Sequence, residues 1–211
     1  MFYTFIKVLR INKISMKYYI LIPFSIFLFC SINKEIGKKQ KTEVVNDFFQ
    51  KNPDYMSDGF DFPIGKPNAV GYVNVQGFKS SRGHLGEDWN NAHREDMGDP
   101  VFAASNGIVS FAEYAGSGWG NVLIITHKLP NGQLIETLYG HLEKMRAFQG
   151  MKVKRGENIG TIGDADGAYW PHLHFEIRND INLSVGPGYS SNTNGYLDPT
   201  KFINQNRKLQ K

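Results

Sequence analysis

The chain is 211 residues long, which allows one well-packed domain with appendages but hardly two full domains. A hydrophobic content of 41% and 22 glycines suit a turn-rich globular protein and exclude a disordered one. The formal net charge is +4, yet residues 1–29 carry four Lys or Arg and no acid. The 24 basic residues, less those four, leave 20 against 20 acidic residues, so no nucleic-acid partner is expected.

The N-terminal residues 1–30 are typical of a targeting segment. Residues 18–33 are uncharged and include the apolar run Tyr18–Phe29, which is shorter than the roughly 20 residues that span a membrane, and Met16 is an alternative start. The only cysteine, Cys30, ends the run, so the chain forms no internal disulfide. It resembles the lipid-modified cysteine of bacterial lipoproteins, although Phe29 before it is not small. A lipid on Cys30, a cleaved signal peptide and an uncleaved anchor are three alternatives, and all place the rest of the chain outside the cytoplasm, in the periplasm or cell envelope.

After this segment the sequence divides into three parts. Residues 31–58 are polar and predict a tether, with a short helix near residues 44–50. Residues 59–203 predict the folded domain, and residues 204–211 a polar tail. Helical periodicity of useful length is otherwise absent.

Within the domain, short apolar runs alternate with glycine-containing turns, a pattern typical of β-strands. The predicted strands are Val70–Val75, Val101–Ala104, Ile108–Ala112, Asn121–Thr126, Leu134–Tyr139, Ile159–Ile162 and Leu173–Ile177. The triplet Pro130-Asn131-Gly132 predicts a hairpin between the fourth and fifth of these strands. The fold class predicted is therefore mainly β and antiparallel.

Two histidines, His172 and His174, lie one residue apart at the predicted last strand. Because side chains alternate along a strand, both lie on one face, roughly 6.6 Å apart at about 3.3 Å per residue. Upstream, His84 and Asp88 offer an imidazole and a carboxylate, and one imidazole of the pair would complete the three protein ligands of a catalytic zinc site. Surface histidines on an edge strand and a turn-capping pair are the alternatives, and Glu87 is another oxygen donor by composition.

Six motifs resemble those of the lysostaphin/LytM-type zinc metallopeptidases, which hydrolyse peptide bonds in bacterial peptidoglycan. The motifs are His84–Asp88, Pro100–Val109, Gly118–His127, Tyr139–Leu142, Val153–Gly163 and Pro171–Arg178. They occur in the family's order over about residues 80–180; each is modest alone, but the set is specific. The resemblance implies a compact, β-sandwich-like metallopeptidase domain of the duplicated hybrid motif fold, with an open groove.

The resemblance also implies roles for five residues. His84, Asp88 and His174 match the family's three ligands to one zinc ion. His141 and His172 match its two catalytic histidines, which lie beside the metal. All five are present, whereas non-catalytic relatives have usually lost some. Which of the two catalytic histidines acts as general base stays open.

Four further residues are candidates to line the groove. Asn121 and Tyr139 hold positions in matching motifs. Tyr169 and Trp170 stand where small residues are usual, just before the histidine pair. Bulky aromatic rings at that point predict a narrowed groove or a contact with substrate.

Other polar residues of the matched region have predictions of their own. The connection 89–99 is longer than is usual in the family and adds His93, Glu95 and Asp96. It predicts a surface loop at the groove rim, with further metal binding as the alternative. His127 is predicted to pack or to form hydrogen bonds.

The function implied is that of a monomeric zinc metalloendopeptidase that cleaves cross-link or stem peptides of peptidoglycan. One alternative is a non-catalytic module of the same fold that binds peptidoglycan or activates other hydrolases. A second is a zinc protease of secreted proteins. A third, a biotinyl or lipoyl carrier domain suggested by the glycines of Val153–Gly163, lacks the required lysine at an exposed hairpin tip.

Overall fold

Helix α1, Leu21–Lys51, opens the part of the chain that the computed structural model describes, residues 21–209, with side chains from residue 36 onward. The chain forms two compact units, one ending at Glu43 and one beginning at Val44. Within the described part, no helix combines the length and apolarity that crossing a membrane requires. The predicted targeting segment lies outside the described residues as far as residue 20, and its three alternatives stay predictions.

Helix α1 occupies most of the stretch for which the sequence predicts a tether, residues 31–58. Its apolar residues do not gather on one helix face, so helical periodicity gives no signal of it. Near its end Val45 and Phe49 are buried, and together with Ile181 they form a small apolar cluster. The packed unit therefore begins before residue 59, the predicted start of the domain, because these two side chains belong to its interior.

Ten strands of the described chain form one sheet in which every pairing is antiparallel. Their bounds are β1 Tyr72–Gln76, β2 Glu87–Asn91, β3 Pro100–Phe102, β4 Gly107–Tyr114, β5 Asn121–Lys128, β6 Leu134–Met145, β7 Lys152–Val153, β8 Asn158–Ile162, β9 Leu173–Arg178 and β10 Tyr196–Leu197. Helix α2, Pro199–Gln205, follows β10. A short 3₁₀ turn lies at Pro53–Tyr55, and Gly65–Ala69 forms an irregular turn that includes non-helical residues. The predicted mainly β, antiparallel fold is confirmed.

The strand order is β1-β2-β9-β6-β5-β4-β7, with β10 beside β9 and β3 joined to β6 through β8. The predicted hairpin is confirmed, since β5 and β6 pair on either side of Pro130-Asn131-Gly132. Gly132 has a φ of 87°, which glycine adopts without strain. Strands β2, β7 and β10 were not predicted, because β2 is largely polar and the other two have two residues each. None of them offers the apolar alternation that a strand prediction needs.

Strand β9 lies between β2 and β6, and all six of its residues are buried. Leu173, Phe175 and Ile177 belong to the main hydrophobic core. The alternate positions lie on the opposite face and are polar: His174, Glu176 and Arg178. Full burial of a Leu, Ile or Phe side chain contributes about 1.5–3 kcal/mol, so the core face holds β9 in place. The polar face of β9 is thereby held in a fixed position.

Candidate active site

Three side chains converge where β2 and β9 lie side by side. Asp88 of β2 is the cross-strand partner of His174 of β9. His84 lies just before β2 and is held by a backbone bridge to Tyr189. The Nε2 atom of His84 lies 3.1 Å from Nδ1 of His174 and 3.3 Å from Oδ1 of Asp88, and that Nδ1 lies 2.9 Å from the same Oδ1. Two nitrogens and one oxygen therefore form a small triangle.

The triangle fits a zinc ion. Zinc bonds of about 2.0–2.2 Å in tetrahedral geometry put ligand atoms roughly 3.3–3.5 Å apart, close to the edges of 2.9–3.3 Å found here. In the part of the chain that the structure describes, His84, Asp88 and His174 are the only group of this kind, and all three are buried. The 89–99 connection therefore holds no second group. Glu87 lies outside the triangle, because its carboxylate accepts hydrogen bonds from Trp89 Nε1 at 3.1 Å and from the Thr200 hydroxyl at 2.9 Å.

Two members of the triangle have displaced pKa values. Burial raises the pKa of Asp88, but hydrogen bonds from His174 and His84 outweigh burial and hold this pKa well below its usual range. Burial lowers the pKa of His174, but hydrogen bonds to Asp88 and Glu176 outweigh burial and raise this pKa to about 9. A metal ion bound at Nδ1 of His174 would have to displace a proton, so the affinity of this group for a metal would depend on pH.

His141 and His172 lie beside the triangle with their rings close together. The two ring centroids are 4.7 Å apart, and the centroid of His141 is 5.6 Å from that of His174. The Nε2 atom of His172 lies 3.8 Å from Oδ1 of Asp88. The structure therefore brings together all five residues to which the resemblance assigned metal-binding or catalytic roles.

Backbone carbonyls orient both rings. Nδ1 of His141 lies 3.2 Å from the carbonyl oxygen of Trp119, and Nδ1 of His172 lies 2.7 Å from that of Trp170. A carbonyl only accepts, so each Nδ1–H donates, and in the neutral form of either ring Nε2 is left as an acceptor. Burial, with smaller electrostatic contributions from His174 and His172, lowers the pKa of His141 to about 3, so His141 is neutral near pH 7.

The backbone at His141 departs from regular strand geometry. Gly140 is the cross-strand partner of His174, so in a regular strand His141 would lie on the core face. Instead His141 has a φ of 62°, in the left-handed region that non-glycine residues seldom occupy. The pairing of β5 with β6 also shifts register nearby, between Asn121 and Leu123. Such local strain is typical of functional sites, and here it accompanies the contact between His141 and His172.

The site opens into a cleft of about 270 Å³. His141, His172, His174 and Asp88 line it, whereas His84 is fully buried. The walls come from three segments that the strands position: Ser117–Trp119, Tyr169 and Pro187–Tyr189, with Gln76 at the end of β1. An extended chain can therefore reach Asp88, His141, His172 and His174 from solvent.

Of the two aromatic groove candidates, Tyr169 lines the cleft and Trp170 does not. The ring centroid of Tyr169 lies 5.1 Å from that of His141. Trp170 is 86% exposed and lines a separate shallow depression together with Glu95. Consecutive residues of this segment thus face different surfaces, and Tyr169 belongs to both.

The other two groove candidates are corrected by their surroundings. Tyr139 is fully buried in the main core, where its hydroxyl accepts a hydrogen bond from the Ala104 amide at 2.9 Å. The prediction that Tyr139 lines the groove is therefore wrong, because its side chain faces the core. Asn121 lies outside the cleft, and its side-chain amide donates to the carbonyl oxygen of Leu142 at 3.0 Å. A position in a matching motif did not reveal which way either side chain points.

The prediction for His127 is confirmed. Its ring is fully buried, with Nδ1 2.8 Å from the carbonyl oxygen of Asn106 and Nε2 2.8 Å from the hydroxyl oxygen of Thr137. Burial lowers the pKa of His127 to about 4, although the hydrogen bond to Asn106 opposes the shift. His127 is therefore a neutral structural residue.

Sequence reasoning missed several residues that shape the site. The indole of Trp119 packs against His174, with centroids 5.1 Å apart, and its Nε1–H donates to the carbonyl oxygen of Gly186 at 2.9 Å. Glu176 contacts His174, and strand alternation from His174 could have indicated it. The wall segment 187–189 lies in a stretch without periodic pattern, so no sequence signal marked it.

Comparison with known proteins gives a family and several relatives. The family model described as Peptidase family M23 matches residues 82–187, a range that contains all five site residues. The chain is 42% identical over 82 residues to the DD-carboxypeptidase/endopeptidase Mpg of Neisseria meningitidis, a match that covers 39% of this chain and 18% of Mpg. It is 36% identical over 84 residues to the peptidoglycan DD-endopeptidase ShyA of Vibrio cholerae, covering 38% of this chain and 18% of ShyA. The chain thus spans under a fifth of the length of these relatives.

Among solved structures, a chain of the SpoIIQ–SpoIIIAH pore forming complex shares the fold. It has a TM-score of 0.53 and 22% sequence identity, and the likeness covers 72% of this chain and 93% of that chain. The family match takes in half of this chain, and all five site residues lie inside it. As the six motifs predicted, the chain belongs to Peptidase family M23.

Proposed function

We propose that the protein is a zinc-dependent endopeptidase that hydrolyses peptide bonds in bacterial peptidoglycan. The observation that carries the proposal is the triangle of His84, Asp88 and His174 with His141 and His172 beside it in an open cleft. Three protein donors leave one position of a tetrahedral zinc ion open, which distinguishes catalytic from structural zinc sites. The names of the relatives Mpg and ShyA support an endopeptidase of peptidoglycan.

In this proposal the three donors hold one zinc ion. When bound, zinc supplies Lewis-acid chemistry, polarising a carbonyl and lowering the pKa of water to about 7. His84 and His174 bind as neutral imidazoles and Asp88 as a carboxylate, which its lowered pKa favours. All three side chains are buried, so little of their surface is exposed to solvent.

The two remaining histidines move protons. Each has a free Nε2 acceptor, because its Nδ1–H is held by a backbone carbonyl. One Nε2 takes a proton from the attacking water and thereby makes it nucleophilic. The other ring, once protonated, donates a hydrogen bond to the developing oxyanion or a proton to the leaving amine. General acid–base catalysis of this kind contributes about 10²- to 10⁴-fold.

The substrate we propose is a cross-link or stem peptide. The walls of the cleft carry Tyr169 and Tyr189, whose aromatic rings can pack against an extended peptide. In keeping with this substrate, we propose an extracytoplasmic location through the N-terminal segment, with lipid on Cys30 as one of its three forms. We propose that the protein acts as a monomer.

The test is hydrolysis of purified peptidoglycan by the zinc-loaded protein. We expect about one zinc per chain, release of soluble fragments, and loss of this release after treatment with a chelator. Mass spectrometry of the fragments identifies the scissile bond. Binding to peptidoglycan without release would instead support the non-catalytic module, and cleavage of an unfolded protein such as casein without release would support a protease of secreted proteins.

A further inference from the structure

A row of buried charges runs along the polar face of β9, and the proposed reaction does not use it. Glu176 and Arg178 follow His174 at alternate positions, and Glu136 of β6 is the cross-strand partner of Arg178. Glu176 and Arg178 are fully buried and Glu136 is 1% exposed. Burying a charge costs several kcal/mol unless good partners compensate it. Three buried charged side chains beside the site therefore suggest a function that offsets this cost.

The first contact of the row is with a member of the triangle. Nε2 of His174 lies 3.2 Å from Oε1 of Glu176, while Nδ1 of the same ring faces Asp88 and His84. An imidazole that binds a metal through Nδ1 carries its proton on Nε2, and that proton needs an acceptor. A carboxylate there fixes the tautomer and the plane of the ring.

The second contact holds Glu176 itself. Nη1 of Arg178 lies 3.9 Å from Oε2 of Glu176, and Nη2 of Arg178 lies 3.2 Å from Oε2 of Glu136. The same guanidinium donates through Nη1 to the carbonyl oxygen of Ser184 at 2.8 Å. Ser184 lies shortly before the wall segment Pro187–Tyr189. Arg178 therefore links Glu176 both to the sheet and to the segment that forms one side of the cleft.

We infer that Glu176 is a positioning residue that holds His174 with Nδ1 directed at the metal. The inference rests on the proposed zinc site and names a residue that neither the motifs nor the triangle assigned. Glu176 touches neither the substrate cleft nor the reacting atoms; it acts through His174 alone. A carboxylate serving merely as a counter-charge for Arg178 would leave metal affinity unchanged when replaced by a neutral group of the same shape.

Zinc affinity separates these two roles without any measurement of hydrolysis. The experiment compares full-length wild type with Glu176→Gln and Glu176→Ala, using competition with a chromophoric chelator and the visible spectrum of the cobalt-substituted protein. Replacement of such a partner typically costs about 10- to 100-fold in metal affinity. We expect a loss in this range for Glu176→Ala and a smaller one for Glu176→Gln, whose amide oxygen still accepts from Nε2. The cobalt spectrum should change in both variants.

Glu87→Gln is the matched control. Glu87 is also a buried carboxylate and adjoins Asp88, but its hydrogen bonds go to Trp89 and Thr200 instead of to a member of the triangle. We expect this variant to lose stability yet keep zinc affinity within about threefold and the cobalt spectrum of wild type.

The possible outcomes distinguish the positioning role of Glu176 from the proposed zinc-dependent function. Zinc affinity within about threefold of wild type in both Glu176 variants, with an unchanged cobalt spectrum, would overturn the positioning role and leave the proposed function intact. Failure of both variants to fold would make Glu176 a structural residue and would equally overturn the inference. If the wild-type protein binds no zinc, the proposed function is wrong, and the positioning role of Glu176, which rests on it, is wrong as well.

Discussion

The two faces of β9 depend on different kinds of interaction. On the core face, Leu173, Phe175 and Ile177 are held by many non-directional contacts, any one of which is weak. On the polar face, His174 makes a few directional contacts, with Asp88 and Glu176 on opposite ring nitrogens. One strand thus contributes to the hydrophobic core through one face and to the candidate active site through the other. Substitutions on the core face should therefore lower stability, whereas substitutions on the polar face should lower zinc binding and activity.

The largest expected effect comes from the polar face. His174→Ala removes one corner of the triangle, so the variant should lose its zinc and more than about a thousandfold of its activity, since Lewis-acid chemistry is lost with the metal. Zinc content and release of soluble peptidoglycan fragments measure both. His93→Ala, an exposed histidine of the 89–99 connection, is the matched control and should change neither. Full zinc content in His174→Ala would contradict the assignment of this ligand.

His141→Ala separates proton transfer from metal binding. His141 lies beside the triangle but contributes no atom to it. Zinc content should stay at about one per chain, while kcat falls about 10²- to 10⁴-fold because a proton acceptor is lost. Single-turnover hydrolysis of a cross-linked muropeptide is the measurement. Unchanged turnover would exclude His141 from the catalytic pair.

Phe175→Ala probes the core face, one residue from His174. Phe175 is fully buried, and its ring centroid lies 5.3 Å from that of Tyr139. Deleting a buried aromatic ring costs about 3–5 kcal/mol of the free energy of unfolding, through lost burial and the cavity left behind. Urea unfolding measures this loss, and folded Phe175→Ala should still bind one zinc. Val73→Ala, on a partly exposed side chain of β1, should shift stability by less than about 0.5 kcal/mol.

Acid should weaken the fold through His127, which lies away from the site. The pKa of His127 in the folded protein is about 4, below its value of about 6.5 in the unfolded chain. The unfolded chain therefore takes up the proton first, so stability is complete above about pH 6.5 and falls as the pH drops towards 4. Between pH 7.5 and 5 this amounts to about 2 kcal/mol. The metal-free His127→Gln protein should show a pH-dependent loss smaller by that amount, and equal losses in the two proteins would contradict the assignment.

The smallest expected effect concerns the aromatic pair before the histidines. Tyr169 lines the cleft whereas Trp170 is 86% exposed outside it. Tyr169→Ala should raise KM for a muropeptide about five- to tenfold, roughly the loss of one aromatic contact. Trp170→Ala should change KM less than about twofold. Equal effects of the two substitutions would extend the binding surface into the neighbouring depression.

The two faces of β9 also differ in how well the sequence predicts them, because burial leaves a periodic pattern of apolar residues and hydrogen bonding does not. Alternation along the strand placed His172 and His174 on one face, and the same rule could have added Glu176 and Arg178. Apolar runs predicted seven strands of the domain because burial leaves a periodic pattern in the sequence. Hydrogen-bonding geometry leaves no such pattern.

Three features that the sequence did not reveal have the same physical cause, namely that the deciding contact is distant in sequence. Tyr139 lies in a motif beside His141, yet its burial follows from its pairing with Phe175 across β6 and β9. The end of α1 joins the domain because Val45 and Phe49 meet Ile181, far along the chain. The cleft wall at residues 187–189 depends on contacts with Trp119 and His84 that no local pattern records.

The three residues of the triangle are far apart in sequence, so the site can form only after the last of them has been synthesised. His84 and Asp88 precede His174 by 90 and 86 residues. During synthesis, a chain that has grown only as far as Pro171 holds two of the three proposed zinc donors and His141, but lacks His172 and His174. In the proposed function, a chain that stops before β9 therefore cannot assemble the zinc site or the histidine pair. Hydrolysis would then begin only after β9 has been made and has paired with β2 and β6.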